Sequence, residues 1–205
     1  MKSFFISLVC ILVWSQAIPQ NNLAIGLGQT SSTFLFKTSQ GNKSGDYNAI
    51  INHSNFLQYR GEIAESWYFN PELTYKKIGA SASFDGEWNS WDLDYFDLAI
   101  GSGLYVKSGS WQPYFGFMVY ASLLLRGQQI SGDSYFNIKE EKSIKFLDFG
   151  ISPMIGVDLL MVHQLRIFAE TRYSFGLNQL ENTEATTQKL FNRYLSVYMG
   201  IRIPF

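Results

Sequence analysis

The charged residues within the alternating segments of this chain keep to one side of the alternation. Because a charge removed from water is costly unless it is paired, acids and bases that share a face are expected to form ion pairs. A polar path for ions or protons is the functional alternative. The residues of this predicted network are Arg60, Glu62, Glu72, Lys76, Asp97, Arg126, Asp148, Asp158, Glu170, Arg172 and Arg202.

A second group of residues has the inventory for general-base chemistry. His53 has Ser54 beside it and Asp46 nearby, in a segment that we expect to be a long loop. His163 is expected in a turn at the opposite end, so the two histidines are not predicted to share a metal. Gly101-Ser102-Gly103 lies within an alternating segment and lacks the lysine and helix of a phosphate loop. We therefore predict no catalytic, metal-binding or cofactor-binding residues and no cofactor.

The segment that ends the chain, from Tyr194 to Phe205, alternates without interruption. A strand with one apolar face and one polar, small-residue face is typical of a transmembrane barrel. The apolar face holds Leu195, Val197, Met199, Ile201, Ile203 and Phe205, and the other face holds Tyr194, Ser196, Tyr198, Gly200, Arg202 and Pro204.

Clusters of proline, glycine, asparagine and serine divide the chain into eight such segments. We predict strands over residues 22–36, 54–65, 69–83, 92–106, 112–130, 144–160, 165–177 and 192–205. The connections alternate between long and polar (37–53, 84–91, 131–143, 178–191) and short (66–68, 107–111, 161–164). This rhythm predicts an all-β, eight-stranded, antiparallel up-and-down transmembrane β-barrel, with short turns and both termini on the periplasmic side.

The side of the alternation on which charged and small residues lie indicates which face of each strand is inside. In the sixth segment Asp148, Gly150 and Asp158 alternate with leucine, phenylalanine and isoleucine, which lie on the other side of the strand. In the seventh segment Glu170 and Arg172 alternate with mostly apolar residues in the same way. An eight-stranded barrel has an interior that side chains just fill, so charges and small residues belong within it. A soluble lipocalin-like barrel would have the opposite arrangement.

Aromatic residues are expected to form two interfacial girdles. The residues concerned are Trp67, Tyr68, Phe69, Trp88, Trp91, Tyr95, Phe96, Trp111, Tyr114 and Phe115. Pro153 lies inside the sixth segment, where a missing amide hydrogen predicts a β-bulge.

The beginning of the chain predicts export. Lys2 precedes an apolar run from Phe4 to Trp14, and Ser15-Gln16-Ala17 offers small residues to a signal peptidase. We expect a signal peptide over residues 1–17 and a barrel domain over 18–205; an uncleaved anchor is disfavoured because the run is shorter than the ~20 residues that span a bilayer. Removal of Cys10 would leave no cysteine, which excludes disulfides and zinc–thiolate sites. The 17 acidic and 16 basic residues give no reason to expect nucleic acid as a partner.

Several stretches resemble the outer-membrane β-barrel domain family of Bacteroidetes, which includes porin-like and PorT-like small outer-membrane proteins. They are residues 67–80, 112–116, 148–150 and 172–177 and the terminal strand, and the resemblance covers residues 20–205. The terminal strand also resembles the signal read by the outer-membrane assembly machinery, with Tyr198, Ile201, Ile203 and Phe205 at its characteristic positions.

The resulting functional hypothesis is a non-enzymatic barrel in the outer membrane of a Gram-negative bacterium. Its expected partners are the lipid bilayer, the assembly machinery during biogenesis, and an envelope protein, with a role in secretion as one form of that partnership. A small-solute, porin-like channel is the alternative, and a surface-exposed enzyme using His53 is the third hypothesis.

Overall fold

The described part of the chain is a closed β-barrel. The computed structural model describes residues 21–37, 43–44, 47–84, 86–106, 108–141, 143–161, 164–181 and 189–205. Its long strands are β1 (Asn21–Lys37), β3 (Tyr47–Ala64), β4 (Trp67–Phe84), β5 (Glu87–Tyr105), β6 (Trp111–Ser131), β8 (Leu147–Leu160), β9 (Arg166–Gly176) and β10 (Lys189–Pro204). Shorter elements are β2 (Lys43–Ser44), β7 (Ser134–Asn137) and the helix α1 (Ile138–Glu141).

Each long strand pairs antiparallel with the next long strand along the chain, and β10 closes the ring on β1. The closing ladder runs from Asn22 opposite Pro204 to Lys37 opposite Lys189. The predicted eight-stranded, up-and-down architecture is therefore confirmed for the described residues. We call the end with the connections at residues 65–66, 106–110 and 161–165 the short-turn end, and the opposite end the loop end.

The alternation of residue types determines the two faces of the wall. Along β8, for example, Phe149, Ile151 and Ile155 are exposed on the outside, whereas Asp148, Ser152 and Asp158 are buried inside. Burying one face while the other meets lipid is the arrangement that an outer-membrane barrel requires. Most of the long strands also exceed the ~9–11 residues that cross a bilayer, so the wall extends beyond the membrane.

Two predicted loops are shorter than expected because the strands continue into them. β3 begins at Tyr47, inside the predicted loop 37–53, and β5 begins at Glu87, so that only residues 85–86 separate β4 from β5. The predicted bulge at Pro153 is wrong. Pro153 lies opposite Phe117 in an unbroken register, with its ring on the outside. Proline is tolerated there without any extra residue in the strand.

The register shifts occur elsewhere, and one of them matters for the lumen. Asp94 lies opposite Arg126 and Tyr95 lies opposite Leu124, which leaves Leu125 as an extra residue in β6. A bulge of this kind reverses the facing of every residue beyond it. The described helix α1 has four residues, and within the described ranges no helix is long and apolar enough to cross a membrane.

Candidate functional site

The lumen brings together most of the predicted charged residues. Those buried inside the barrel are Arg60, Glu72, Lys76, Asp97, Asp148, Asp158, Glu170, Arg172 and Arg202. They come from β3, β4, β5, β8, β9 and β10 because each lies on the inward parity of its strand. They form three layers between the loop end and the short-turn end.

The layer nearest the loop end is centred on Lys76. Its ammonium nitrogen donates to Asp97 Oδ2 at 2.5 Å, to the Tyr194 hydroxyl at 2.6 Å and to Ser122 Oγ at 3.2 Å. The same nitrogen lies 4.5 Å from the centre of the Tyr120 ring. A lysine has three N–H donors, so all of them have partners here. The ammonium group is a satisfied structural cation.

Asp148 lies beside this layer. Its Oδ2 accepts a hydrogen bond from Asn192 Nδ2 at 2.7 Å, while its Oδ1 has no described hydrogen-bond partner.

The middle layer is built on Arg172. Its Nη1 and Nη2 donate to the two carboxylate oxygens of Glu72 at 2.5 and 2.7 Å, and its Nε donates to Glu170 Oε1. Glu72 also accepts from Gln58 Nε2 at 2.8 Å, and Glu170 accepts from the Tyr114 hydroxyl at 2.7 Å. Two-pronged pairing of a guanidinium with a carboxylate is among the strongest hydrogen-bonding arrangements in proteins. This layer ties β3, β4, β6 and β9 together across the lumen.

The layer at the short-turn end has two arginines on one acid. Asp158 Oδ2 lies 3.3 Å from Arg60 Nη1 and 3.3 Å from Arg202 Nε. The Arg60 guanidinium is held between the rings of Tyr68 and Tyr114, 4.2 Å from the centre of each. Cation–π contacts of this kind fix the position of the charge.

Two residues of the predicted network differ from the rest. Glu62 is only partly buried and lines the mouth of the lumen at the short-turn end. Arg126 is exposed on the outer wall, so its assignment to the lumen is wrong. The physical reason is the extra residue Leu125, which reverses the parity of the last part of β6. On the outer wall Arg126 lies opposite Asp94, whose Oδ1 is 3.9 Å from Lys77 Nζ. These three residues form a charged row across the outer faces of β4, β5 and β6.

The predicted girdles are wrong for four residues, which face the lumen. Tyr68, Tyr95 and Tyr114 are buried in the lumen, and Trp91 packs inside against Phe34. These residues lie on the same side of the strand alternation as the lumen charges, so the alternation predicts an inward position for them. The predicted girdle residues that are exposed on the outer wall are Trp67, Phe69, Trp88, Phe96, Trp111 and Phe115.

Three apolar residues of the connecting segments form a lid that packs against the wall at the loop end. Ile138 of α1, Ile144 and Leu180 are buried in one cluster with Leu93 and Leu124 of the wall. Backbone hydrogen bonds fasten these connecting segments, from Lys145 N to Leu180 O at 2.6 Å and from Leu180 N to Leu190 O at 2.9 Å. The lid and the charged layers follow one another inside the barrel from the loop end towards the short-turn end. A cavity of about 20 Å³ lies among the polar side chains and has room for about one water.

The residues proposed for general-base chemistry are not brought together. His53 lies in β3 rather than in a loop, and its side chain is exposed on the outer wall, near the Tyr75 ring. Ser54 points into the lumen, where its Oγ lies 2.8 Å from Thr30 Oγ1. Neighbours on one strand point to opposite faces, so these side chains cannot hydrogen-bond to each other. Asp46 and His163 lie outside the described residues.

The residues of the predicted assembly signal occupy both faces of β10. Tyr198 is buried in the lumen, whereas Ile201, Ile203 and Phe205 are exposed on the outside. The predicted signal peptide lies outside the described residues. Among the residues that are described, no group of three or more histidine, cysteine, aspartate or glutamate side chains is placed to hold a metal ion.

The architecture and sequence have relatives among known proteins. A family model described as "Outer membrane protein beta-barrel domain" matches residues 15–182. The outer membrane protein OprG from Pseudomonas aeruginosa is similar in structure, with a TM-score of 0.58 at 12% identity over 92% of this chain and 97% of that chain. Neisserial surface protein A has a TM-score of 0.55 at 13% identity over 89% of this chain and 97% of that chain. No curated protein sequence matches the chain. At these identities the two structures show a shared fold.

Proposed function

This chain belongs to the outer membrane protein β-barrel domain family, and we propose that it is a closed, non-enzymatic barrel that presents its loop end to a partner in the envelope. The observation that supports this proposal is the filled lumen. Three layers of side chains cross it, and an apolar lid covers its loop end. A rigid closed barrel has no path for solutes, so its working surface is the part outside the membrane.

The exposed surface of β7 is the best candidate for that contact. Tyr135 and Phe136 are exposed there, and Tyr135 lies opposite Ile130 on the extension of β6. These side chains lie beyond the charged row of Lys77, Asp94 and Arg126. Apolar surface that is separated from the lipid-facing belt by charges is suited to a protein partner. A PorT-like partnership with a secretion component is the specific form that the family resemblance implies.

The alternative of a small-solute channel is tested by conductance. We expect the purified protein in planar bilayers to show no stable current steps, under conditions in which an open porin gives them. Reproducible current steps would contradict the closed-barrel proposal and would favour the channel.

Contact at the loop end is tested by site-specific photo-crosslinking in the native outer membrane. A photoreactive phenylalanine at Tyr135 is expected to capture a defined envelope protein. The matched control is Leu98, which is similarly exposed but lies on the lipid-facing part of β5. Equal capture at both positions, or capture at neither, would count against a loop-end partner.

Export and assembly complete the proposal. A signal peptide removed after Ala17, periplasmic termini and recognition of the terminal strand by the assembly machinery are consistent with family membership. Mass determination of the mature protein tests the cleavage site. Deletion of Phe205 is expected to reduce the amount of protein that reaches the outer membrane, whereas deletion of a loop-end residue such as Tyr135 is not.

A further inference from the structure

A small cavity lies in the lumen at the short-turn end. It has a volume of about 20 Å³, and its lining includes Arg60, Arg166, Arg202, Glu62 and Asp158. Such a volume admits about one water or one ion of similar size. Arg166 and Glu62 are only partly buried, so the cavity is reached from the short-turn end.

Several arginine N–H groups of this lining make no hydrogen bond to another described residue. Among the described residues, the lining nitrogens that make no hydrogen bond are Nε and Nη2 of Arg60, Nε and Nη2 of Arg202, and Nη1 of Arg166. Two of these nitrogens lie near a carboxylate oxygen without forming a hydrogen bond to it: Arg202 Nε is 3.3 Å from Asp158 Oδ2, and Arg60 Nη2 is 3.9 Å from Glu170 Oε2. Against them stands one unpartnered acid oxygen, Asp158 Oδ1. Arg60 and Arg202 are 4% and 1% exposed. A buried donor that is left unsatisfied is destabilising, so this arrangement calls for an additional acceptor.

The charges of the lining also favour an additional acceptor. Three guanidinium groups and two carboxylates line the cavity, and both Arg60 and Arg202 lie against a single oxygen of Asp158. Glu170 Oε2 is 3.9 Å from Arg60 Nη2, but this carboxylate already accepts hydrogen bonds from Arg172 and Tyr114. Neither Arg60 nor Arg202 is free to turn elsewhere. Arg60 is held between the rings of Tyr68 and Tyr114, and Arg202 Nη1 donates to the Gln58 side chain at 3.2 Å.

We propose that this cavity binds a monatomic anion, with chloride as the physiological ligand. The ion would accept the unused N–H groups of Arg60, Arg166 and Arg202 and balance the excess positive charge of the lining. A cavity with room for about one water favours a monatomic anion over larger ones such as sulfate or gluconate. Binding would fasten β3, β9 and β10 together at the short-turn end.

Chloride-dependent stability tests the proposal. The thermal unfolding midpoint of the full mature protein in detergent is measured in sodium chloride and in sodium gluconate at equal ionic strength. A ligand that binds only the folded state stabilises it in proportion to the logarithm of its concentration once the site is filled. We expect the midpoint to rise with chloride in this way and to remain constant in gluconate. Equal midpoints in the two salts would overturn the proposal.

Two variants test whether the chloride dependence of stability arises at this cavity. Arg166→Gln is expected to abolish the chloride dependence, because it removes one donor from the rim of the cavity while leaving the more deeply buried pairs intact. The matched control is Arg193→Gln, an arginine near the other end of the barrel whose guanidinium lies over the Phe175 ring. This control should keep the full chloride dependence. Loss of the dependence in both variants, or in neither, would contradict the site.

Crystals of the unaltered protein grown in sodium bromide provide a test that needs no variant. We expect one anomalous peak among Arg60, Arg166 and Arg202. Electron density for a water without anomalous signal would show that the unused donors are hydrated, and the anion proposal would then be wrong.

Discussion

Removal of the Arg172 guanidinium is the most direct test of the lumen network. In the Arg172→Leu variant, Glu72 loses both hydrogen bonds from the guanidinium and Glu170 loses one. The remaining donors are Gln58 and Thr74 for Glu72, and the Tyr114 hydroxyl for Glu170. Breaking a buried ion pair by removing one partner typically costs about 3–5 kcal/mol. We expect a loss of that size in the free energy of unfolding, because two acids remain buried.

The assay is urea unfolding of the protein in lipid vesicles, followed by tryptophan fluorescence. Trp67 and Trp111 are exposed on the outer wall, so their emission reports withdrawal from lipid. Conductance in planar bilayers is measured in parallel and is expected to change little, since the lid and the other two charged layers remain. The control is Arg193→Leu on the outer wall, for which we expect a change below ~1 kcal/mol.

A double-mutant cycle separates the ion pair from the loss of packing. Adding Glu72→Gln removes one of the two uncompensated charges, so Arg172→Leu with Glu72→Gln should be less destabilised than the sum of the single variants, by about 0.5–3 kcal/mol. Additive single effects would show that the pair itself contributes little. A large rise in conductance with unchanged stability would refute the structural role and indicate that Arg172 blocks a pore.

Three further predictions concern other parts of the barrel. Lys76→Met should lower the free energy of unfolding by about 3–5 kcal/mol because it leaves Asp97 buried without its cation; recovery in Lys76→Met with Asp97→Asn would support this reason. Gly103→Val should cost about 1–3 kcal/mol in the same unfolding assay, since a Cβ there would lie 2.4 Å from the Phe115 carbonyl oxygen. His53→Ala should change stability by less than ~0.5 kcal/mol and leave every measured phenotype intact; loss of a surface activity would revive the enzyme hypothesis.

The alternation of residues between the two faces of each strand allows most of the barrel to be predicted from the sequence. Charges that alternate with apolar residues, as Asp148 and Asp158 do in β8, can be assigned to the lumen by counting. The same count would have placed Tyr68 and Tyr114 inside with Arg60. Their aromatic character favours an interfacial position, but the alternation of each strand is the better guide to the face on which they lie.

What the sequence did not reveal depends on pairing between strands. The extra residue at Leu125 is visible only in the ladder between β5 and β6, and it alone moves Arg126 to the outside. The strand ends also depend on tertiary context. β5 continues from the predicted segment back to Glu87 because its backbone pairs with β4 as far as Phe84, although polar residues such as Asn89 and Ser90 favour a loop. Sequence composition cannot report a hydrogen bond to a distant strand.

The apolar lid and the charged layers are best understood as parts of one arrangement. Burying Lys76 beneath Leu124 and the lid residues removes water from its surroundings, which would be strongly unfavourable for an unpaired ammonium group. The same exclusion of water strengthens the hydrogen bonds that the ammonium group makes to Asp97 and Tyr194. Each layer thus keeps its geometry because the other layers exclude solvent and restrict the alternative positions of its side chains. A barrel that is held in this way can keep the strands of its loop end in a fixed position, which is what a contact surface on β7 needs.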